Sequence, residues 1–291
     1  MVPSTALSTD LDLALEAGAY EALWQKDKMT TKKMADLFRL RAIRPSSLVS
    51  ASLAAENAER VLERLRAASF HQSGIRLNHT ADYPGRLRDA EHPSELLYYA
   101  GDWTLTACPA SVSIVGTRKP SEEGLKRART VSAGLAGQGF CIISGLAAGV
   151  DRAAHEAAVR AGGKTIAVIG TPLDRSYPKE NSELQSLIAE KFLLISQVPF
   201  LRYEAEPFSA HRYWFPERNV TMAALSAATV IVEAGETSGT LTQARATLKQ
   251  KRKLFIMASN FDRPGLTWPA RFEAQGAMRV HNLEELLGYL S

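Results

Sequence analysis

Apolar residues in the second half of the chain fall into five short runs, each ending in a cluster of small or polar residues. Val112 to Val115 runs into Gly116-Thr117-Arg118, Cys141 to Ile143 into Ser144-Gly145, and Thr165 to Ile169 into Gly170-Thr171-Pro172. Leu193 to Ile195 gives way to Ser196, and Thr229 to Val232 leads through Glu233-Ala234-Gly235 into Ser238-Gly239-Thr240. Between the runs, apolar positions recur at helical spacing, so the stretch from Ala110 to about Met257 reads as strand, polar turn, helix, repeated. Parallel strands joined by crossover helices bring their carboxyl ends to one sheet edge, where open α/β folds bind ligands. The small residues are therefore expected to share one site.

The first half follows a different pattern. Leu11 to Ala68 is helical in texture, broken at Thr30-Thr31 and Pro45-Ser46-Ser47, and Ser50 to Arg66 reads as a single helix with Leu53, Val61, Leu62 and Leu65 among charges. Phe70 to Pro109 carries turn signals at Tyr83-Pro84, His92-Pro93 and Gly101-Asp102, with one short strand, Leu96 to Tyr99. The expected division is a helical N-terminal module over 1–70, a connecting segment over 71–109, and an α/β domain over 110–291. The last of these closes with a helix that Asn282 can cap.

With 291 residues, 45% of them hydrophobic, the chain can bury a full core and accommodate one large domain plus a smaller one. Lys and Arg number 35 against 31 acids, a net +4, which is compatible with a polyanion partner without requiring one. No basic tail exists, so such contacts would have to come from local patches: Arg118-Lys119, Lys126-Arg127 with Arg129, Lys179, Arg218, or Lys249 to Lys253. Cys108 and Cys141 lack CxxC spacing and suit a reducing compartment. The start has no basic n-region followed by an apolar core, and no apolar run approaches the ~20 residues that span a bilayer, so a cytoplasmic protein without membrane contact is expected. The six histidines are dispersed and no acidic cluster has ligand spacing, so neither a metal nor a cofactor is expected.

Five stretches carry candidate chemistry. In the first, Gly116 lets backbone approach a bound group, Ser121 can cap a helix running to Gln138, and Arg118 and Lys119 flank amides free to hold a phosphate. The spacing is not GxGxxG, which removes the usual nicotinamide or flavin fingerprint. In the second, Ser144-Gly145-Leu146-Ala147-Ala148-Gly149 makes a tight turn before Asp151 and His155, four apart on one helix face. That pair can act as base and orienter or simply order the turn, and no nucleophile is placed to use it. In the third, Tyr177 can stack on a base while Lys179 neutralises a phosphate, the combination used for single strands; a Pro-fixed loop, with Asn181 or Ser182 capping the next helix, is the plainer alternative. In the fourth, Trp214-Phe215-Pro216-Glu217-Arg218-Asn219 sets aromatic rings beside a guanidinium, with Arg218 the foremost candidate for a phosphate contact. In the fifth, Ser238, Gly239 and Thr240 open a helix and can present amides and hydroxyls to an anion, while Glu233 is either a ribose or base contact or the loop's own acceptor.

Taken in order, these stretches resemble the DNA-processing protein A family, also called DprA or Smf. The resemblance rests on Val115-Gly116-Thr117-Arg118, Ser144 to Asp151 with Ala154-His155, Gly163 to Gly170, Tyr177 to Asn181, Phe215 to Asn219, and Val232-Glu233-Ala234 with Ser238 to Leu241. It covers roughly Tyr83 to Ala277 and implies an extended Rossmann-like fold with a mostly parallel sheet. It further implies single-stranded DNA binding without catalysis, a homodimer, and delivery of the strand to the RecA recombinase during natural transformation. By matched motif, Arg118, Lys179, Arg218 and Asn219 would contact DNA, with Ser144, Gly145, Ser238 and Gly239 shaping the pocket.

The chain departs from the family's usual pattern in several places. Val220, Thr221 and Met222 follow Asn219 where an Arg and two isoleucines are usual, Gln197 replaces a Glu, and Ala258-Ser259-Asn260 replaces Pro-Gly. No winged-helix domain follows before Ser291, and the N-terminal helices lack a Gly-Ile-Gly hairpin. The competing expectation is a nucleotide enzyme or sensor of the lysine-decarboxylase-like group, whose Pro-Gly-Gly-x-Gly-Thr turn is replaced here by Ala234 to Thr240.

Overall fold

A computed structural model of the chain describes residues 4–39 and 43–290. The N-terminal helical texture folds as α1 (Ser4–Trp24), α2 (Thr31–Arg39) and α3 (Ala51–Ala67). Ser50 caps α3, its Oγ accepting the Leu53 amide at 3.4 Å. Leu53, expected on the apolar side, is exposed. The face of α3 turned inward carries Ala54, Asn57, Ala58, Val61 and Leu65, because α1 approaches so closely that a Cβ on Gly18 would meet the backbone of Ala54 and Ala58.

The segment expected to be a connector adds β1 (Ser73–Leu77), α4 (Gly85–Arg88) and β2 (Leu96–Gly101). It contributes two strands to the sheet rather than one. Ser73-Gly74-Ile75-Arg76-Leu77 has only two apolar residues, too few to register as a strand, yet all five pair with β2.

Strand and helix then alternate as expected: β3 (Ser111–Val115), α5 (Glu122–Gly137), β4 (Cys141–Ser144), α6 (Val150–Arg160), β5 (Thr165–Ile169), α7 (Ser182–Lys191) and β6 (Leu193–Ser196). Two helices follow, α8 (Phe200–Ala205) and α9 (Trp214–Leu225), before β7 (Ala228–Ile231), α10 (Thr240–Lys249) and β8 (Lys253–Met257). The chain ends with α11 (Trp268–Glu273), β9 (Met278–Val280) and α12 (Leu283–Leu290). Ser121 Oγ caps α5 by accepting the Gly124 amide at 3.0 Å, and Asn282 Oδ1 accepts the Glu285 amide at 2.9 Å.

The nine strands form one sheet in the order β1-β2-β6-β5-β4-β3-β7-β8-β9. From β6 through β9 all neighbours are parallel, and β2 runs antiparallel to both β1 and β6. Alternate residues of the buried strands therefore face opposite sides, each of which needs a cover. On one face Ile143, Val168, Ile195, Ile231 and Ile256 pack with Met222 of α9, Leu241 of α10 and Trp268 of α11. On the other, Val112, Ile142 and Val230 meet α5, α6 and α12. The same face continues through Tyr98, Ala167 and Leu194 against Tyr20 and Trp24 of α1, Phe200 of α8 and Trp214. The N-terminal helices thus share the core of the sheet. Among the described residues no helix is long and apolar enough to cross a membrane.

Candidate functional site

Strand order reverses at β3. From that central strand the chain moves outward through β4, β5 and β6, then returns to the other side of β3 as β7. Loops leaving β3 and β7 diverge at such a reversal and open a crevice beyond the carboxyl ends of the strands. A cleft of about 710 Å³ lies there, lined by Gly116 to Lys119 after β3, Gly235 and Thr237 to Thr240 after β7, Asp151 on α6, Tyr177, and uncharged or basic residues of α8, α9 and the segment between them.

The floor is built by small residues under a buried guanidinium. Gly116 has no room for a side chain, since a Cβ there would stand 2.6 Å from Val150 Cγ2 and 2.7 Å from the Glu233 carbonyl. Thr117 donates its amide to that same carbonyl at 2.7 Å, tying the β3 and β7 loops together. Ser144 is fully buried and donates its hydroxyl to the Ile114 carbonyl at 2.6 Å. Gly145 lies directly beneath the Arg218 guanidinium, which a Cβ would strike. Arg218 Nη1 donates to the Gly145 carbonyl and, at 2.8 Å, to the Val168 carbonyl, while Nε donates to Asn219 Oδ1 at 2.9 Å.

Arg218 differs from the sequence expectation in that it is only 4% exposed. It lines the cleft from below, with its charge lent to strand-end carbonyls rather than standing free at the rim. Burial lowers its pKa to about 10, with Asp151 opposing the shift and Arg118 adding to it. Asn219 bridges Arg218 to the opposite loop, its Nδ2 donating to the Gly239 carbonyl at 3.1 Å.

Asp151 and His155 do not orient each other. Asp151 Oδ2 accepts the Ala147 amide at 3.4 Å and so holds the turn before α6, and burial raises its pKa. His155 is fully buried, with Nδ1 2.7 Å from Thr165 Oγ1. The Thr165 hydroxyl hydrogen is already committed to the Ile142 carbonyl at 2.8 Å, so Nδ1 must be the donor. Desolvation holds its pKa down at about 3. A general base needs access to its proton and a value near the working pH, and this imidazole has neither.

Glu233 is the loop's own acceptor. Its two oxygens take the Ser121 amide at 3.0 Å and the Ser121 hydroxyl at 2.6 Å, with Arg263 at 3.3 Å. It therefore fixes the start of α5 and faces away from the cleft. Opposite, Ser238 Oγ accepts the Thr240 amide at 3.2 Å, and Thr240 Oγ1 donates to the Gly116 carbonyl at 3.2 Å. Ser238, Gly239 and Thr240 all line the opening.

The rim carries the free charge. Arg118 and Lys119 are exposed and, among the described residues, have no acidic partner within ion-pair distance. The Arg118 guanidinium stands 5.3 Å from the centre of the Phe215 ring, and Tyr177 lies 5.3 Å from the same ring at a 46° tilt. Lys179 is exposed just beyond Tyr177 and lies outside the cleft lining.

Sequence reasoning missed Tyr203, Phe208, His211 and Arg212, which complete the wall between α8 and α9. The available signal was aromatic density, since Phe208, His211, Tyr213, Trp214 and Phe215 fall within eight positions. Asn260 was also missed as a positioning residue. Fully buried, it accepts the Ala234 amide at 3.0 Å and donates to the carbonyls of Val232 and Met257 at 3.0 Å each, clipping the β7 loop to the end of β8.

Comparison with known proteins agrees with this architecture. The family model of DNA recombination-mediator protein A matches residues 75–291. The DNA processing protein DprA of Bacillus subtilis is 31% identical over 221 residues, 75% of this chain and 72% of that one. Against two Smf proteins the chain spans 49% and 51% of the relative, about half its length. The structure of DprA from Streptococcus pneumoniae superposes with a TM-score of 0.65 at 28% identity, covering 96% of this chain and 92% of that one. A DprA from Helicobacter pylori, whose structure concerns its single-stranded DNA binding mode, also gives 0.65 at 28% identity, over 77% of this chain and 97% of its own.

Proposed function

The chain belongs to the DNA recombination-mediator protein A family, and from that premise we propose that its cleft holds an unpaired DNA strand by phosphate neutralisation and base stacking, without catalysing a reaction. The observation that carries this reading is a rim on which exposed Arg118 and Lys119 adjoin the Tyr177 and Phe215 rings, while the one acid lining the cleft among the described residues, Asp151, is buried. Cations track the backbone and rings take the bases, so sequence matters little. In this reading Arg118 and Lys119 contact phosphates, Tyr177 contacts a base, and the Gly239 amide takes an oxygen, with Ser238 and Thr240, whose hydroxyls and amides bond within the loop and to Gly116, holding that turn in shape. Lys179 meets the strand where it leaves the cleft. Arg218, Asn219, Gly116, Ser144 and Gly145 hold the floor in shape.

The wider role follows the family. The strand is passed to RecA in recombination or DNA uptake, from a homodimer in the cytoplasm, with the helical module over 1–70 as an accessory to the core. Arg118→Ala is the direct test. Binding of a labelled oligothymidylate, followed by anisotropy across salt concentrations, should weaken, and the log–log salt slope should shrink by about 0.7 for each phosphate that is no longer neutralised. Absence of binding by the unaltered protein at low salt would sink the reading. So would thermal stabilisation by a mononucleotide with none by the oligonucleotide.

A further inference from the structure

Between α8 and α9 the chain forms a strap in which Phe208, His211 and Arg212 stand outside the core clusters and, among the described residues, have no ion pair. Phe208 is 72% exposed, the most uncovered large apolar side chain among the described residues. Behind it stands His211, edge-on at 5.8 Å between ring centres, and behind that Tyr203, stacked on His211 at 3.6 Å and 12°. The His211 ring is fixed in this array, because Nε2 lies 2.8 Å from the Tyr203 carbonyl and a carbonyl can only accept. Arg212, exposed and without an acidic partner among the described residues, follows directly. One exposed ring is ordinary by itself; what sets this one apart is that it is backed by two aligned rings, lines the cleft and has an unpaired guanidinium beside it.

The strap is braced from behind, which separates it from an ordinary mobile loop. Glu21 of α1 accepts the amides of Phe200 and Leu201 at 2.8 and 3.0 Å, anchoring the start of α8. Arg202 donates to the Met29 carbonyl at 2.7 Å and pairs with Glu206 at 2.6 Å, with its guanidinium over the Trp24 and Trp214 rings. Tyr213 accepts the Thr31 amide at 2.9 Å through its hydroxyl. Glu21, Trp24, Met29 and Thr31 all belong to the N-terminal helices and the turn between them, so both ends of the strap are tied to that part of the chain.

We propose that Phe208, backed by His211 and Tyr203, is a nucleobase-stacking platform distinct from the Tyr177–Phe215 pair, so that the cleft grips bases on two walls. The inference rests on the reading of the cleft as a strand-binding site. A nucleobase fits because its flat apolar face covers a flat ring, while the neighbouring Arg212 takes the attached phosphate. An apolar peptide side chain would cover the ring equally well but would leave Arg212 unmatched.

The test compares an oligothymidylate with an abasic deoxyribose-phosphate strand of equal length, using the unaltered protein, Phe208→Ala, Phe208→Trp and Arg118→Ala. Phe208 touches little of the core, so its removal leaves the fold intact. Phe208→Ala should bind the oligothymidylate roughly ten-fold more weakly while its affinity for the abasic strand and its salt slope stay unchanged, and Phe208→Trp should restore binding. Arg118→Ala should weaken both ligands together. Unchanged oligothymidylate binding by Phe208→Ala overturns the platform, and so does an equal weakening on both strands, which would make the ring a support rather than a stacking surface. Failure of the unaltered protein to bind either strand would instead remove the underlying reading of the cleft.

Discussion

Replacing Glu21 by glutamine probes the joint between the N-terminal helices and the cleft wall, and it does so through pH. The carboxylate is fully buried and accepts three donors: the Tyr98 hydroxyl at 2.6 Å and the amides of Phe200 and Leu201. Loss of water outweighs those donors and lifts its pKa from the ordinary 4.5 to about 7. The folded protein therefore takes up a proton between those values that the unfolded chain does not. Stability from this site is complete below pH 4.5 and is lost as pH rises through 7, at up to about 1.4 kcal/mol per unit and about 3 kcal/mol across the window. Glu95 is also lifted to about 7 and titrates in the same range, but it is common to both proteins and cancels in their difference. The glutamine in Glu21→Gln cannot titrate, and its amide sets an NH₂ against one of the backbone donors, an unsatisfied contact that costs about 1–3 kcal/mol at any pH. Urea unfolding of both proteins from pH 4 to 8 should give a stability difference, unaltered minus variant, that is largest in acid and falls by about 3 kcal/mol toward neutrality. A difference that stays flat would mean that the three donors keep the carboxylate charged in the fold, and the argument from burial would be wrong.

Two further outcomes are expected. Gly145→Ala places a Cβ in the Arg218 guanidinium and should destabilise the fold by about 3–5 kcal/mol by leaving a buried charge without its carbonyls, read as a shift in urea midpoint; removing the charge as well, in Gly145→Ala/Arg218→Met, should recover part of that stability. His155 should show no imidazole titration by NMR between pH 5 and 8, and because its folded pKa of about 3 lies below the ordinary 6.5, the stability it contributes is present above 6.5 and lost as pH falls toward 3. Titration near 6.5 would contradict the effect assigned to burial.

The parallel core was legible because its strands are buried on both faces and read as unbroken apolar runs, with the turns after them marked by small residues. The observed β3, β4, β5, β6 and β7 fall within a residue or so of those runs. Strand order was not legible, because periodicity carries no neighbour information, and the cleft's position between β3 and β7 became visible only from pairing. Residue type alone also left the role of Arg218 open. A guanidinium suits a phosphate and a set of strand-end carbonyls equally, and only the tertiary fold, by burying it against Gly145 and Val168, separates the two. The strap was invisible for a related reason: Phe208 and Trp214 are both aromatic, yet one is largely exposed and the other fully buried.

Where the sequence departs from the family's usual pattern, the structure supplies local compensation. Gln197 and Thr221 are both departures and both buried, and the Thr221 hydroxyl donates to Gln197 Oε1, so each satisfies the polar group the other introduces. Asn260 takes the place of a turn and uses three hydrogen bonds to hold the β7 loop against β8. Both changes lie behind the cleft and leave Arg118, Lys119 and Tyr177 at the rim. The bracing of the strap extends the same logic outward: Glu21, Met29 and Thr31 fix α8 and Tyr213, so on the proposed strand-binding reading the N-terminal helices act on the grip through the strap. Their effect on binding should therefore pass through Phe208, and loosening Glu21 should lower the preference for a base-bearing strand over an abasic one while the contribution of Arg118 is unchanged.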